Sequence, residues 1–517
     1  MPTVDKVVIS NLSALQKKYG APGATAIKAA LTRLIAADLA RGLQTQVVEI
    51  DDLVQMAPFG ATAVISEKDE RGAKTAVDAI CKTLLPDYVM LLDGPDVIPH
   101  IELNRITGIT DSDASIPSDL PYASAAPFSR TVNAYLAVTR VVGRLPVPPG
   151  TSDEEVLIRL LDISIAHESR SAENHAPFFA ISCDVWRVST QLSLSNLFGT
   201  HAGMHIAPNA AHTRIDPNLT RLTHFINCHG ANNDWRFYGQ GGVQYPVAME
   251  SNRVAGHLAP GVIVAAECCY GAQLYNHALA GWPQPICMTY LLGGAAAFVG
   301  STNIAYGPPA ANGEADLICQ YFLEEALKGA STGRAMLQAR QRFVAGQVMS
   351  VATNLKTIAQ FVLYGDPSLV PTVEPVAASP AGADPALAVA SVSSAKDLQS
   401  ARKTRRVFLE SDGMAFAAAA TFPGRPVELS ADVEKRLQSA AQMNGFSTTP
   451  KAYAVTGGAK FKAASKRIGR SQTIAIAVER AKQPAKTTTE VELPSYRVFV
   501  AHIMDDGVTR IDISESR

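Results

Sequence analysis

Two segments constrain this chain more than anything else in it: residues 222–230 (LTHFINCHG) and 262–271 (VIVAAECCYG), placed so that His229 and Cys269 are 40 residues apart. Each is an apolar run that halts on a reactive side chain and then a glycine. Runs of this kind suit strands of a parallel sheet, buried on both faces, and such sheets bind ligands in the crevice outside their carboxyl ends. His229 is therefore expected beside a cysteine at one edge of a sheet. A thiol attacks only as thiolate, and a nearby imidazole can take its proton and later return it to a leaving group.

The surrounding chain supplies the sheet. Residues 4–10, 44–50 and 88–93 read as strands, with helices over 23–41 and 67–84 between them. Alternation of this kind gives a mostly parallel α/β sheet. Residues 107–130 are polar and loop-like, and 134–142 resumes as a strand. A helix over 153–172 follows, then strands at 178–182, before His229, before Cys269 and at 294–300, and a helical region over 313–346. Residues 1–370 thus form one body, divided into subdomains of about 1–150 and 151–370. Residues 371–395 are rich in Ala, Pro and Ser and read as a linker. Beyond it, strands over 406–409, 415–422 and 496–503 and a helix over 431–443 make residues 396–517 a small α+β domain.

Charge marks the same boundary. Residues 397–517 carry 19 Lys+Arg against 13 Asp+Glu, leaving 27 against 34 in the preceding chain. The tail is basic, but its charges are dispersed and few aromatics lie among them, so nucleic acid is not an expected partner. No apolar stretch reaches the roughly 18 residues of a membrane span. The amino-terminal residues show neither a basic n-region nor a long apolar h-region, so a cytoplasmic location is expected. Seven cysteines without a C-x-x-C pair speak against a disulfide framework or a zinc site and fit reduced thiols.

Seven segments, in order, resemble the gingipain family of caspase-like cysteine peptidases: residues 88–99 (YVMLLDGPDVIP), 118–122 (SDLPY), 142–146 (VGRLP), the His229-Gly230 turn, the cysteine turn, 294–300 (GAAAFVG) and 364–369 (YGDPSL). The resemblance covers residues 1–370. It implies a caspase-like fold, a mostly parallel sheet flanked by helices in three layers, and a cysteine endopeptidase acting on polypeptides, with His229 as general base and acid. Export signals of the secreted members have no counterpart here, so their extracellular setting is not carried over. Where the family pattern calls for a carboxylate backing the histidine, before Gly143-Arg144, this chain has Thr139 and Arg140.

Two cysteines compete for the nucleophile. Along the strand Ala265, Glu267 and Cys269 share one face, while Val264, Ala266 and Cys268 share the other. Glu267 cannot face an apolar core unpaired, so it should face the cleft and bring Cys269 with it. The caspase, metacaspase and legumain turns, with a polar residue two before the nucleophile, also select Cys269. The gingipain spacing of three from nucleophile to glycine selects Cys268. Gly230 is expected to turn the chain and offer its N–H to the oxyanion, together with the nucleophile's own N–H.

Glu267 would then line the pocket for a substrate Arg or Lys. Asp119 is a second acidic candidate, for the pocket or for histidine support. Trp235 is a candidate substrate-side wall. His224, five residues before His229, falls on the other strand face and is expected to serve packing or to lie at the surface. Neither metal nor organic cofactor is expected; family members can bind calcium, but no clear site is legible. The C-terminal domain would recruit a substrate, partner or activator, and the basic run 402–406 is a candidate processing site. The alternatives are a catalytically silent scaffold and a peptidase confined to cutting itself.

Overall fold

The computed structural model describes residues 4–207, 216–241, 244–373, 427–455, 472–480, 496–504 and 507–516. The body is organised on one ten-stranded sheet. Its strands are β1 (Lys6–Ser10), β2 (Thr45–Glu49), β3 (Tyr88–Leu92), β4 (Val142–Leu145), β5 (Phe178–Cys183), β6 (His205–Ala207), β7 (Thr223–Asn227), β8 (Ile263–Ala266), β9 (Ala297–Ser301) and β10 (Phe361–Tyr364). They lie in the order β2-β1-β3-β4-β10-β9-β8-β7-β5-β6. Every neighbouring pair is parallel except β9–β10. The sheet is therefore two five-stranded parallel blocks meeting at that antiparallel seam, with β10 returning from the end of the body to complete the first block.

The strands form where apolar and β-branched residues run without interruption: β1, β3 and β8 are buried along their whole length. Two groups of helices flank the sheet. One comprises α1 (Leu12–Ala40) and, after the separately packed α2 (Glu70–Leu84), α3 (Glu154–Ala166), with Arg33 of α1 on Asp162 of α3 at 2.6 Å; α2 instead packs on the 3-10 turn Leu120–Ala123. The other comprises α4 (Arg187–Phe198), α5 (Glu314–Leu327), α6 (Thr332–Gly346) and α7 (Ala352–Gln360), packed around α5. Starts are set by side-chain caps: Asn11 accepts from the Ala14 N–H, Asp69 from Gly72 and Ser331 from Arg334.

Two expectations are corrected, and one helix was not foreseen. The first helix starts at Leu12 instead of residue 23, because the chain kinks through Gly20 (φ 74°) and Pro22 and stays helical on both sides. Residues 134–142 are not a strand: Val132–Tyr135 is a 3-10 turn, and pairing begins only at Val142. The helical α7 was missed altogether.

Conserving the sheet's geometry falls to buried ion pairs drawn from the short motifs. Arg144 on β4 is wholly buried and grips Asp119 through two hydrogen bonds of 2.9 and 2.6 Å. Lys6 on β1 bonds Asp38 at 2.9 Å and also Asp366, in the turn after β10. Removing one member of such a pair would strand its partner's charge in the interior.

The described part of the tail contains α8 (Ala431–Met443) and four antiparallel strands, β11 (Lys451–Val455), β12 (Gln472–Arg480), β13 (Tyr496–Met504) and β14 (Gly507–Ser516). Alternation decides its packing. Ile474, Ile476, Val478, Val498 and Val500 join the core of the body, while Ala475, Ala477, Phe499 and Ala501 pack with Val433, Leu437 and Ala441 of α8. The end of β14 pairs with Tyr306–Gly307 of the body, and Ser514 Oγ donates to Glu314 Oε1 at 2.7 Å. The expected linker from residue 374 on, the basic run 402–406 and the strands expected over 406–409 and 415–422 lie outside the described residues. Among the described residues, no helix is long and apolar enough to cross a membrane.

Candidate active site

Strands β7 and β8 are parallel neighbours in register from Thr223–Ile263 to Ile226–Ala266, so their following residues emerge together. The Glu267 N–H still donates to the Ile226 carbonyl at 2.8 Å, after which both chains leave the sheet. Beyond that point the histidine turn lies on the cysteine turn. A Cβ built on Gly230 would stand 1.8 Å from the Cys269 carbonyl oxygen and 3.4 Å from the Cys268 Cβ. Only glycine permits that approach. Gly230 is thus required for contact, not for the turn expected of it, since His229–Gly230 runs as an antiparallel pair with Phe237 and Tyr238.

His229 is 5 % exposed. Its ring is held between Trp186, at 4.5 Å between centroids, and Tyr245, at 4.9 Å. Nε2 lies 2.9 Å from Gln240 Oε1, so an amide oxygen, not a carboxylate, sits against that nitrogen. An amide orients an imidazole without lending it a negative charge. His224 is wholly buried, bonded through Nδ1 to the Tyr290 hydroxyl at 2.9 Å and through Nε2 to the Arg221 carbonyl at 3.0 Å. Packing is its task.

Strand alternation does not decide between the cysteines, because β8 ends at Ala266 and residues 267–269 are no longer extended in the sheet. Glu267 is wholly buried instead of facing an open cleft. The two thiols differ in their surroundings. Cys268 lies inward among Cys228 and Cys183, and burial pushes its thiol well up; the Cys228 backbone N–H on its sulfur works against this without cancelling it, and the neighbouring Cys183 and Cys269 add to the rise. Cys269 is also buried, but its sulfur accepts the Ala305 N–H at 3.3 Å and lies 3.5 Å from the Ala305 carbonyl. An N–H aimed at sulfur favours the thiolate. Tyr270 follows in the left-handed region at φ 54°, a costly conformation for a bulky side chain that the surrounding structure must enforce.

A cavity of about 570 Å³ opens beside this turn, walled by His100, Glu102, Ser115, Tyr270, Gln273 and Asn303 among others. The hairpin Ile101–Asn104 with Ser115–Ser118 forms one side and is tied to the end of β9 by Asn303 Nδ2 on the Ser115 carbonyl at 2.8 Å. Burial pushes Glu102 above the usual carboxylate range, and nearby Glu70 adds to the effect against the Ser115 hydroxyl bond of 2.6 Å. Burial lowers His100 to about 4 although Asp119 lies 3.7 Å away, so its imidazole is neutral at pH 7.

The pocket candidates are placed differently from expectation. Neither Glu267, Asp119 nor Trp235 lines the cavity. Asp119 does stand behind a histidine, but behind His100, and its main partner is Arg144; burial raises its carboxyl, and Arg144 and His100 more than offset that, leaving it below the usual range. Trp235 is half-buried with the Arg236 guanidinium 4.9 Å over its ring.

Sequence reasoning missed Glu102, His100 and a buried cluster. Lys356 of α7 bonds both Asp111 and Asp113; the Tyr270 hydroxyl donates to Asp113 at 2.8 Å, and the Tyr306 hydroxyl to Asp111 at 2.8 Å. The one available signal was an Asp-Ser-Asp within the polar stretch read as a loop. Among the described residues, no group of three or more His, Cys, Asp or Glu side chains is arranged to hold a metal ion.

Against known proteins, the sequence profile of peptidase family C25 matches residues 16–372. No curated protein sequence matches the chain. Among solved structures, it is similar to a complex of Porphyromonas gingivalis RgpB pro- and mature domains, at 13 % identity and a TM-score of 0.46 over 71 % of this chain and 79 % of that one. It is also similar to a structure described as a protease, at 12 % identity and a TM-score of 0.43 over 99 % and 97 %. With the profile match spanning most of the body, the chain belongs to peptidase family C25, the gingipain family of cysteine endopeptidases.

Proposed function

We propose that this peptidase works through His229 and Cys269, with Cys268 as the alternative nucleophile, and that the cavity beside Tyr270 receives the substrate side chain preceding the scissile bond. The observation that carries the pairing is the seat of Gly230 on the Cys269 carbonyl, which sets the two turns against each other. The Ala305 N–H on the Cys269 sulfur supports that thiol as the nucleophile, whereas the Cys268 thiol is raised well above its ordinary value by burial even with the Cys228 N–H on it.

The reaction proceeds in two halves. His229 takes the thiol proton, and the sulfur bonds the peptide carbonyl carbon. The resulting oxyanion is held by backbone N–H groups, those of Gly230 and of the nucleophile being the candidates. Collapse breaks the carbon–nitrogen bond as His229 protonates the departing amine, leaving a thioester. Water, deprotonated by His229, attacks the thioester carbon and releases the acid and the thiol. Cys269 is wholly buried, so a substrate reaches the sulfur only once the neighbouring side chains move aside.

Specificity for Arg or Lys is assigned to Glu102 in place of Glu267. Glu102 lines the cavity, and its carboxylate hydrogen-bonds the Ser115 hydroxyl while Arg130, which donates to the Glu102 main-chain carbonyl at 2.7 Å, acts on it only from a distance; Asp113, the other carboxylate of the wall, is already bonded to Lys356. A guest guanidinium or ammonium would supply a directly bonded counter-charge. The test is a peptide library varied at that position, read with wild type and Glu102→Gln. Arg and Lys should lead for wild type and lose at least about tenfold in kcat/KM in the variant, the worth of one partly desolvated charged hydrogen bond. A preference for Asp, or an indifferent variant, would overturn the assignment.

A cytosolic setting is proposed with it, the seven cysteines being buried thiols of the kind a reducing compartment preserves.

A further inference from the structure

We propose that Lys356 is a positioning residue for the nucleophile, acting through Asp113 and Asp111 on both sides of the Cys269 sulfur. The proposal rests on the reading of Cys269 as the attacking thiol.

The geometry is that of a clamp. Lys356 is 1 % exposed, stands on α7 and does not line the cavity. Its ammonium bonds Asp113 Oδ2 at 2.6 Å and Asp111 as well. Asp113 then holds two elements. Its Oδ1 accepts the hydroxyl of Tyr270, the residue after Cys269, and its Oδ2 accepts the Ile304 N–H at 2.9 Å, one peptide before the Ala305 N–H that meets the sulfur. Asp111 accepts the hydroxyl of Tyr306, on the other side of Ala305. Arg105 fixes the backbone of this loop, donating to the Asp113 and Asp111 main-chain carbonyls at 2.8 and 2.7 Å. One cation therefore fixes three residues around the thiol, including the left-handed Tyr270.

A cation so placed has two effects of the same sign. It neutralises carboxylates that would otherwise repel a thiolate, and it keeps the Ala305 N–H aimed at the sulfur. Both favour the ionised form. The titratable and charged groups of this network and of the turns it holds include Asp111 and Asp113 from the loop, Lys356 from α7, Tyr306 from the segment after β9, Glu267, Cys268 and Tyr270 from the turn of Cys269, and His229 from the facing segment. Loss of Lys356 leaves this set more negative.

The test uses the full chain with Lys356→Met, Lys356→Arg and Tyr270→Phe. Iodoacetamide alkylation is followed against pH, with the labelled cysteine identified by peptide mass, alongside steady-state kinetics and thermal unfolding. Lys356→Met should raise the pH midpoint of Cys269 alkylation by about one unit, roughly tenfold less thiolate at neutral pH, and lower kcat with KM little changed. Lys356→Arg should restore most of both, and Tyr270→Phe should lower kcat without the full shift in midpoint. An unchanged midpoint and kcat in Lys356→Met, with only the unfolding temperature reduced, would make the clamp purely structural and overturn the proposal. If Lys356→Met does not fold, the decision passes to Tyr270→Phe, where an unchanged kcat overturns it. Wild-type labelling on Cys268, with Cys269→Ala still active, would instead remove the reading beneath it.

Discussion

At the scale of single residues, environment separates groups that sequence leaves equivalent. Cys268 and Cys269 are neighbours in the chain, yet the Cys268 thiol sits among other thiols and is pushed well up by burial, while the Cys269 sulfur lies at the Ala305 N–H, one residue before the cavity wall at Tyr270. Glu267 and Glu102 are both acidic candidates once the structure is known, but one is wholly buried and the other lines the cavity. The raised pKa of Glu102 adds a pH signature. As pH falls through that raised value the carboxylate takes up a proton, so KM for an Arg substrate should climb at a pH above the ordinary carboxylate range. For a neutral substrate side chain KM should stay flat over the same interval. Parallel pH profiles of the two substrates in wild type and Glu102→Gln check this; the variant should lose the difference.

At the scale of elements, the sheet edge that carries the candidate site was legible because its strands announce themselves. The apolar runs of β7 and β8 fixed where His229 and the cysteines emerge, and their parallel register brings both to one edge. What did not follow from pattern is anything beyond the last paired residue: alternation holds only while the chain is extended in a sheet, and β8 stops at Ala266. The cavity wall was missed for a related reason. It is built by a hairpin and a polar loop whose residues carry no periodicity, and their task becomes visible only when Asp111 and Asp113 meet Lys356, more than two hundred residues away. The contact between the two turns can be tested directly. Gly230→Ala places a Cβ inside the Cys269 carbonyl, so the turns must separate, and kcat/KM should fall by about a hundredfold or more, as for misplacement of reacting groups by an ångström. Gly346→Ala, with nothing within 4 Å of the added carbon, should leave activity unchanged.

At the scale of the whole molecule, the body and the tail share more than their separate charge balance suggested. The sheet of the tail buries one face in the core of the body, and its last strand pairs with Tyr306–Gly307, next to Ala305. The interior also stores acid sensitivity. Burial lowers His100 and His175 to about 4 and His224 to about 3, against an ordinary value of 6.5. Below pH 6.5 the unfolded chain binds protons that the folded chain refuses, so stability should fall as pH drops from 6.5 toward 4, by about 1.4 kcal/mol per unit for each histidine. Thermal unfolding from pH 7.5 to 4.5 should show that decline, and His175→Asn should make it shallower. The central claim is the pairing of His229 with Cys269, and it is tested most directly by peptide cleavage with wild type, Cys269→Ala, Cys268→Ala and His229→Ala. The account expects activity to vanish in Cys269→Ala and His229→Ala and to persist in Cys268→Ala; an active Cys269→Ala beside a dead Cys268→Ala would contradict it.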